Sequence, residues 1–560
     1  MVNARYYSNA LMLVRPSLFG RLLGCLLIVT VLTAAPARAQ RAVGPWDDAW
    51  LIPSGALRIG LSPNLLSARE RFGTSGAESL GAPFARTLNT DGLPTLSAFD
   101  AAINALSGTT GFQSRLGVST ADVRLTAATV PLEVSFGITR RIMLRALIPY
   151  NTGQNEIQLK VDGTDATLGL NPAVFATTTF AANGAIATSL TDAATSLEAL
   201  AAACALSAAS DTRCTLINAE SSDVLALIAA ARATGSGVLA VYGGATDTKA
   251  PILVPLASSA AQNAIMARIA ALSSGFARYG TPTTLADGAA PLGALAPPTL
   301  TELTTLLRDS TYGYVFGPLN RRYLQGFGDI DVGVSLLLFD GTHTPDSWVR
   351  RDVSALAFRE TVGLTYRLGT GTPPDPDDLL RVPTGDGQDD LEFVSSTDII
   401  GRGHAWASVT GRYTKQMPRD GIARIPDASG SPFVPLTRRR FSRTTLGDRI
   451  GFDVTPRWAL NDRFGAGLRY RFTHQAATTI EELPPFAGAA PMTFTGESMT
   501  AHEVGFGLVW SSINAWHAGH TGWPIEIEWT HSMVIAGSGG VAKLSGDRIS
   551  FRAFAKLWGR

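Results

Sequence analysis

Beyond residue 40 the chain lacks any apolar run of about 18 or more residues, the length at which a helix becomes a candidate membrane span. Helical spans are therefore excluded there. Charge is also scarce, at 17%, where a soluble protein carries about 25%. Cysteine is nearly absent, with three in 560 residues, and Cys204 and Cys214 alone lie beyond residue 40. In an oxidising compartment these two read as a local disulfide, with two buried free thiols as the alternative. Net charge is +1, and the first 40 residues carry four Arg and no acid, so the remainder has +1 − 4 = −3. A near-neutral chain offers no electrostatic basis for binding nucleic acid. What is present is 56 Gly, 31 Pro and 45% hydrophobic residues, a composition for strands and turns.

The N-terminus has the form of an export signal. Arg5, Arg15 and Arg21 precede the apolar run LLGCLLIVTVLTAA, and Ala37-Arg38-Ala39 fits the small-x-small cleavage rule. A signal peptide over 1–39 with Gln40 as the mature start is expected. Cys25 precedes most of the apolar run, which argues against lipidation.

Residues 131–151 read PLEVSFGITRRIMLRALIPYN. Leu132, Val134, Phe136 and Ile138 alternate with Glu133, Ser135, Gly137 and Thr139. Alternation resumes after the turn at Ile142, Leu144, Ala146, Ile148 and Tyr150. Period two with one apolar face denotes a half-buried strand. The same pattern predicts twelve strands, near 56–68, 120–138, 141–151, 328–339, 354–368, 389–398, 403–416, 447–459, 463–475, 499–511, 523–535 and 547–558. Most exceed the five or six residues of a common soluble strand and suit a tilted membrane strand of about 9–11. In 128–131 the phase slips, since Val123, Leu125 and Ala127 are odd-numbered, and a bulge near Pro131 is expected.

Connection lengths alternate. With both termini in the periplasm, the inner turns are short (139–141, 340–353, 399–402, 460–462, 512–522). The outer loops are long (69–119, 152–327, 369–388, 417–446, 476–498, 536–546). Bacterial membrane barrels are built this way. The expected fold is an all-β membrane protein, a transmembrane β-barrel of about twelve antiparallel strands with an α-helical insert between strands 3 and 4.

The polar face carries Glu133, Arg145, Asp331, Arg359, Arg367, Asp453, Arg457, Arg469, Arg471, Glu503, Glu526, Glu528, Arg552 and Lys556. So many charges suit a wet or salt-bridged lumen. The opposite face is almost uncharged, Glu360 excepted, and carries Tyr and Trp near strand ends, as aromatic girdles would. Residues 152–327 abandon period two for Ala- and Leu-rich helices with Ser, Thr or Asp at their starts. They form an outer cap or an inward plug. The chain thus divides into 1–39, strands 1–3 over 40–151, the insert 152–327, and strands 4–12 over 328–560.

Chemical motifs are sparse. Asp386, Asp389, Asp390 and Glu392 in PTGDGQDDLE could bind a hard cation, without EF-hand spacing, and a solvated loop is the plainer reading. His404 and Ser408 share a face but stand about 13 Å apart along a strand. No nucleophile–base–orienter set follows from spacing, so no enzyme and no cofactor are expected. His517 and His520 in an inner turn could bind metal, although interface anchoring by Trp516 and Trp523 explains that turn as well. The Arg-rich run 436–449 could attract lipopolysaccharide phosphates or be simply solvated.

Three segments together resemble a known family: FGITRRIMLRALIPYN, GFGDIDVGVSLLLFD at 326–340 and LRVPTGDGQDDLEF at 380–393. Their order is similar to the outer-membrane family of the MetA pathway of phenol degradation, related to fatty-acid and aromatic-hydrocarbon channels. The resemblance covers 121–160 and 320–560 and implies passive uptake of apolar or aromatic compounds, with no catalytic site. The long insert departs from it. The final strand, DRISFRAFAKLWGR, resembles a barrel-assembly signal, but ends in Arg560 in place of an aromatic. The expected function is a passive outer-membrane channel for a small solute. A surface or adhesion barrel presenting the insert, and a membrane enzyme, are the alternatives. Expected partners are outer-membrane lipid, lipopolysaccharide, the assembly machinery and the solute.

Overall fold

The computed structural model describes residues 46, 48–206, 211–244, 250–342, 356–401, 405–428, 430–484, 490–517 and 519–558. The expected signal peptide, Gln40, His343 and His404 lie outside the described residues.

Twelve staves close into one antiparallel barrel. They are β1 (Ala56–Leu61 continuing as Asn64–Ala68), β2 (Val118–Gly137), β3 (Ile142–Asp162) and β4 (Arg322–Phe327 continuing as Ile330–Asp340). Then come β5 (Ala357–Leu368), β6 (Asp390–Ile400), β7 (Ala405–Gln416) and β8 (Arg449–Ala459). The last four are β9 (Phe464–Gln475), β10 (Met499–Ser511), β11 (Ile525–Ser538) and β12 (Ser545–Lys556). Each pairs with its sequence neighbour, and β12 closes on β1 with Ala56 opposite Lys556 and Leu61 opposite Phe551. Pro63 has no N–H to give the ladder, and β1 is interrupted there without change of register. Closure leaves no edge strand.

Side chains alternate between lumen and exterior. On β8, Ile450, Phe452 and Trp458 are exposed outward while Asp453, Thr455 and Arg457 are buried inward. An exterior of exposed Leu, Ile, Val and Phe bounded by tyrosines and tryptophans is the surface of a transmembrane barrel.

The expected bulge near Pro131 is absent. β2 and β3 pair in one register from Val118 opposite Asp162 to Gly137 opposite Met143. Odd residues of β2 point inward throughout. What changes is the solvent on each side. Low on the strand, Leu132, Val134 and Phe136 face outward and Glu133 and Ser135 inward. High on it, Thr120, Asp122 and Arg124 face outward and the buried Val123 packs inward among helices. The apolar phase slips because lipid gives way to water outside while a polar lumen gives way to a protein core inside. The same exchange hid the upper half of β3, where Ile157 and Leu159 join that core. That strand runs to Asp162, beyond the expected end at 151.

Among the described residues, six helices gather at the long-loop end: α1 (Leu96–Ser107), α2 (Thr177–Leu206), α3 (Thr212–Ala219), α4 (Ser221–Tyr242), α5 (Ala260–Arg278) and α6 (Leu300–Arg308). Ser259 caps α5 through Gln262 N at 3.1 Å, and Thr299 with Glu302 forms a capping box on α6. One apolar core joins Leu96, Ile103, Leu190, Val238, Ile265 and Phe276 to Leu380 and Phe433 of later loops. The helices therefore sit over the long-loop end and share a core with the other loops there. A disulfide links Cys204 of α2 to Cys214, which lies in α3. The loops 417–446 and 476–498 pair as a small sheet of Arg419–Arg424, Arg439–Thr445, Thr479–Glu482 and Thr493–Thr495.

Candidate functional site in the barrel lumen

Residue 46 and residues 48–55, upstream of β1, run inside the barrel. Ala49 is fully buried; its N–H donates to Asp398 Oδ1 on β6 at 3.2 Å, and its carbonyl accepts from Thr361 Oγ1 on β5 at 2.6 Å. The Arg469 guanidinium on β9 lies 5.1 Å from the centre of a Trp46 ring. Gly505 on β10 leaves the space beside that indole, since a Cβ there would come 3.4 Å from it. Where the segment leaves the lumen, Gly55 N donates to Gly137 O at 2.8 Å. Gly137 must be glycine, because a Cβ would fall 2.2 Å from Pro53 O.

This strap meets two layers. At the short-turn end, Leu51 and Ile52 pack with Met143, Leu337, Phe554 and Ile513, the last on helix α7 (Ile513–His517). Above that apolar seal lies a polar belt. Arg58 and Arg145 converge on Glu133, the latter at 3.6 Å. Glu528 takes Arg548 at 2.5 Å and Arg552 at 3.2 Å. Asp453 takes Arg471 at 2.5 Å and Arg412 at 3.4 Å. Arg469 pairs with Glu503, Arg359 with Asp340 at 3.1 Å, and Arg367 with Asp331 at 2.8 Å. Arg457, 1% exposed, donates to Ser408, which in turn donates to Asp398 at 2.5 Å. Glu526 is buried on the same wall, and Lys556 is exposed at the short-turn end of β12.

Charges at these depths are retained only when matched, and removing one partner strands the other. The belt is therefore a salt-bridged wall in which arginine outnumbers carboxylate. Arg58, Asp340, Asp398, Arg412 and Arg548 share the alternation of this face. Sequence reading assigned nothing to 41–55, although Trp46, Trp50, Leu51 and Ile52 form an apolar cluster with no stave to bury it.

The other candidates resolve differently. Asp389 accepts the Gly369 N–H at 2.9 Å; Asp390, buried, lies 3.6 Å from Arg367 with no hydrogen bond to either oxygen; and Glu392 accepts Thr414 Oγ1 at 3.3 Å. Among the described residues, no three His, Cys, Asp or Glu side chains converge as metal ligands. The Arg run is largely paired: Arg439 with Asp377 at 3.0 Å, Arg440 with Glu482 at 2.9 Å and Arg443 with Asp420 at 2.8 Å.

No protein-family model and no curated protein matches the sequence. Similar solved structures include an outer membrane channel of Pseudomonas putida F1, at TM-score 0.37 and 8% identity over 91% of this chain and 98% of that one. A Pseudomonas aeruginosa FadL homologue aligns at TM-score 0.24 and 8% identity, over 93% and 97% of the two chains. The Ralstonia pickettii toluene transporter TbuX aligns at TM-score 0.23 and 7% identity, over 95% and 100%. These scores are low, and the barrel assignment stands on its own strand pairing.

Proposed function

We propose that this protein is an outer-membrane channel for passive movement of a small aromatic or apolar solute, with residues 46–55 as its stopper. The observation that carries the reading is the strap itself, residue 46 and residues 48–55 occupying a closed barrel. The short-turn end, where the strap leaves the lumen, is taken as periplasmic, as in outer-membrane barrels. Trp46, Trp50, Leu51 and Ile52 supply apolar surface along the path, in keeping with the resemblance to aromatic-compound channels. The C-terminal strand, with Trp558 packed 4.8 Å from Phe136, would be read by the assembly machinery. Lipopolysaccharide would meet the arginines of the outer sheet.

The test is planar-bilayer conductance of the full chain against a variant lacking residues 46–50. A near-silent full chain and a conducting variant are expected. Silence in both would overturn the channel reading and favour a surface barrel whose active part is the helical unit.

A further inference from the structure

Outward-facing acids are rare among the described residues: Asp547 pairs with His531 at 3.1 Å, and Glu360 stands apart from any cation. Glu360 on β5 points outward with Phe358 and Val362, into the apolar band. Its carboxylate accepts from Ser395 Oγ at 2.6 Å and from Thr397 Oγ1, both outward on β6. Among the described residues no cation pairs with it. An acidic side chain facing hydrocarbon is costly and is kept where it has a partner.

A groove of about 590 Å³ adjoins it. Two level rows line the groove across β4–β7. Leu336, Val362, Ser395 and Gly411 are registered opposite one another in one row, and Val334, Leu364, Phe393 and Tyr413 in the next. Four adjacent strands span about 14 Å. Gly411 makes the depression, since a Cβ there would touch nothing within 4 Å. Ser395 belongs to both features: it floors the groove and donates to Glu360.

We propose that this face holds a phospholipid of the periplasmic leaflet with a primary ammonium headgroup. The ammonium sits at Glu360 and an acyl chain lies in the groove. Orientation follows from the strand. Glu360 is near the start of β5, at the short-turn end, and the groove lies on its long-loop side. A lipid of the periplasmic leaflet has its headgroup and chains in that order, and one of the outer leaflet has them reversed. This step rests on the membrane orientation given above, though not on conduction. Charge argues against a second copy of the chain. A two-fold interface juxtaposes like patches and would set Glu360 beside Glu360. The outward cation in this region, Lys415, is engaged by Asp448 at 3.1 Å.

Native mass spectrometry of the full chain in detergent, with added phosphatidylethanolamine, phosphatidylcholine or phosphatidylglycerol, tests this. The expected result is retention of phosphatidylethanolamine about tenfold above the other two. Glu360→Gln should abolish the preference, and Gly411→Leu should lower retention of all three. Equal retention by the unaltered protein, or an undiminished preference in Glu360→Gln, would overturn the proposal. So would a dimer that Glu360→Gln strengthens, which would assign the face to a second copy. Comparing lipids on the unaltered chain needs no variant to fold. Conductance is not read, so failure here leaves the channel reading standing, and the reverse holds.

Discussion

Tyr413 Oη donates to Asp448 Oδ2 at 2.7 Å, from β7 to the residue just before β8. The same diagonal recurs at Tyr366 and Asp389 Oδ2, 2.8 Å, and at Tyr470 and His502 Nδ1, 2.8 Å. In all three the partner lies two residues before the one opposite the tyrosine: Ile450, Leu391 and Val504. A girdle tyrosine thus ties its strand to the next as well as marking the interface. Tyr413→Phe and Tyr366→Phe should each cost about 0.5–1.5 kcal/mol, read as reversible denaturant unfolding in vesicles. No loss in either would mean that the rings act through their apolar faces alone.

The Asp389 latch should depend on pH. The Gly369 N–H, and then the Tyr366 hydroxyl, hold its carboxyl below the usual carboxylate range. Its folded pKa lies under the unfolded one, so its contribution is present above the unfolded pKa. It is lost as pH falls through the folded value. Amide protection in 369–389, with the pH dependence of intrinsic exchange divided out, should therefore fall below about pH 4. Tyr366→Phe should move that loss to higher pH. An unchanged midpoint would separate the latch from the loop's order.

Strap and wall meet without slack at Gly137. Gly137→Val places a branched side chain where Pro53 O stands and should expel the strap while leaving the staves paired. Raised bilayer conductance with an intact heat-modifiable band on gels is the expected outcome. Unchanged conductance with a displaced strap would show that the belt alone closes the lumen.

Position along β2 should decide what a charge costs. Val134 and Thr120 both face outward, one beside lipid and the other beside water. Val134→Arg should destabilise by about 2–4 kcal/mol if near the bilayer middle. Thr120→Arg should stay within about 0.5 kcal/mol. Equal costs would move the membrane boundary that the phase exchange marks.

The disulfide should be local in effect. Closing about ten residues between Cys204 and Cys214 is worth about 2–3 kcal/mol on a loop-closure basis. Cys204→Ser with Cys214→Ser should open the α2–α3 junction to protease and leave barrel unfolding unchanged. A matching fall in barrel stability would show that the helical unit and the barrel unfold together.

The sequence by itself determined the barrel. Alternation with one nearly uncharged face, as in Leu132 to Ile148, is a local property that every strand repeats. Twelve such strands joined by alternately short and long connections leave few other topologies. Period two also assigns charges such as Arg457 or Glu528 to one face without knowledge of any partner. Three matters awaited the tertiary structure. Residues 46–55 carry no periodicity, so their place in the lumen depends on Asp398 and Thr361, some 300 residues away. The upper halves of β2 and β3 read as out of phase because the same face meets lipid low on the strand and water above it. Glu360 looked like an exception on an apolar face, and only strand register showed that Ser395, Thr397 and the Gly411 groove stand beside it. Periodicity reports which side of a strand is wet, and contacts between distant segments decide what stands on each side.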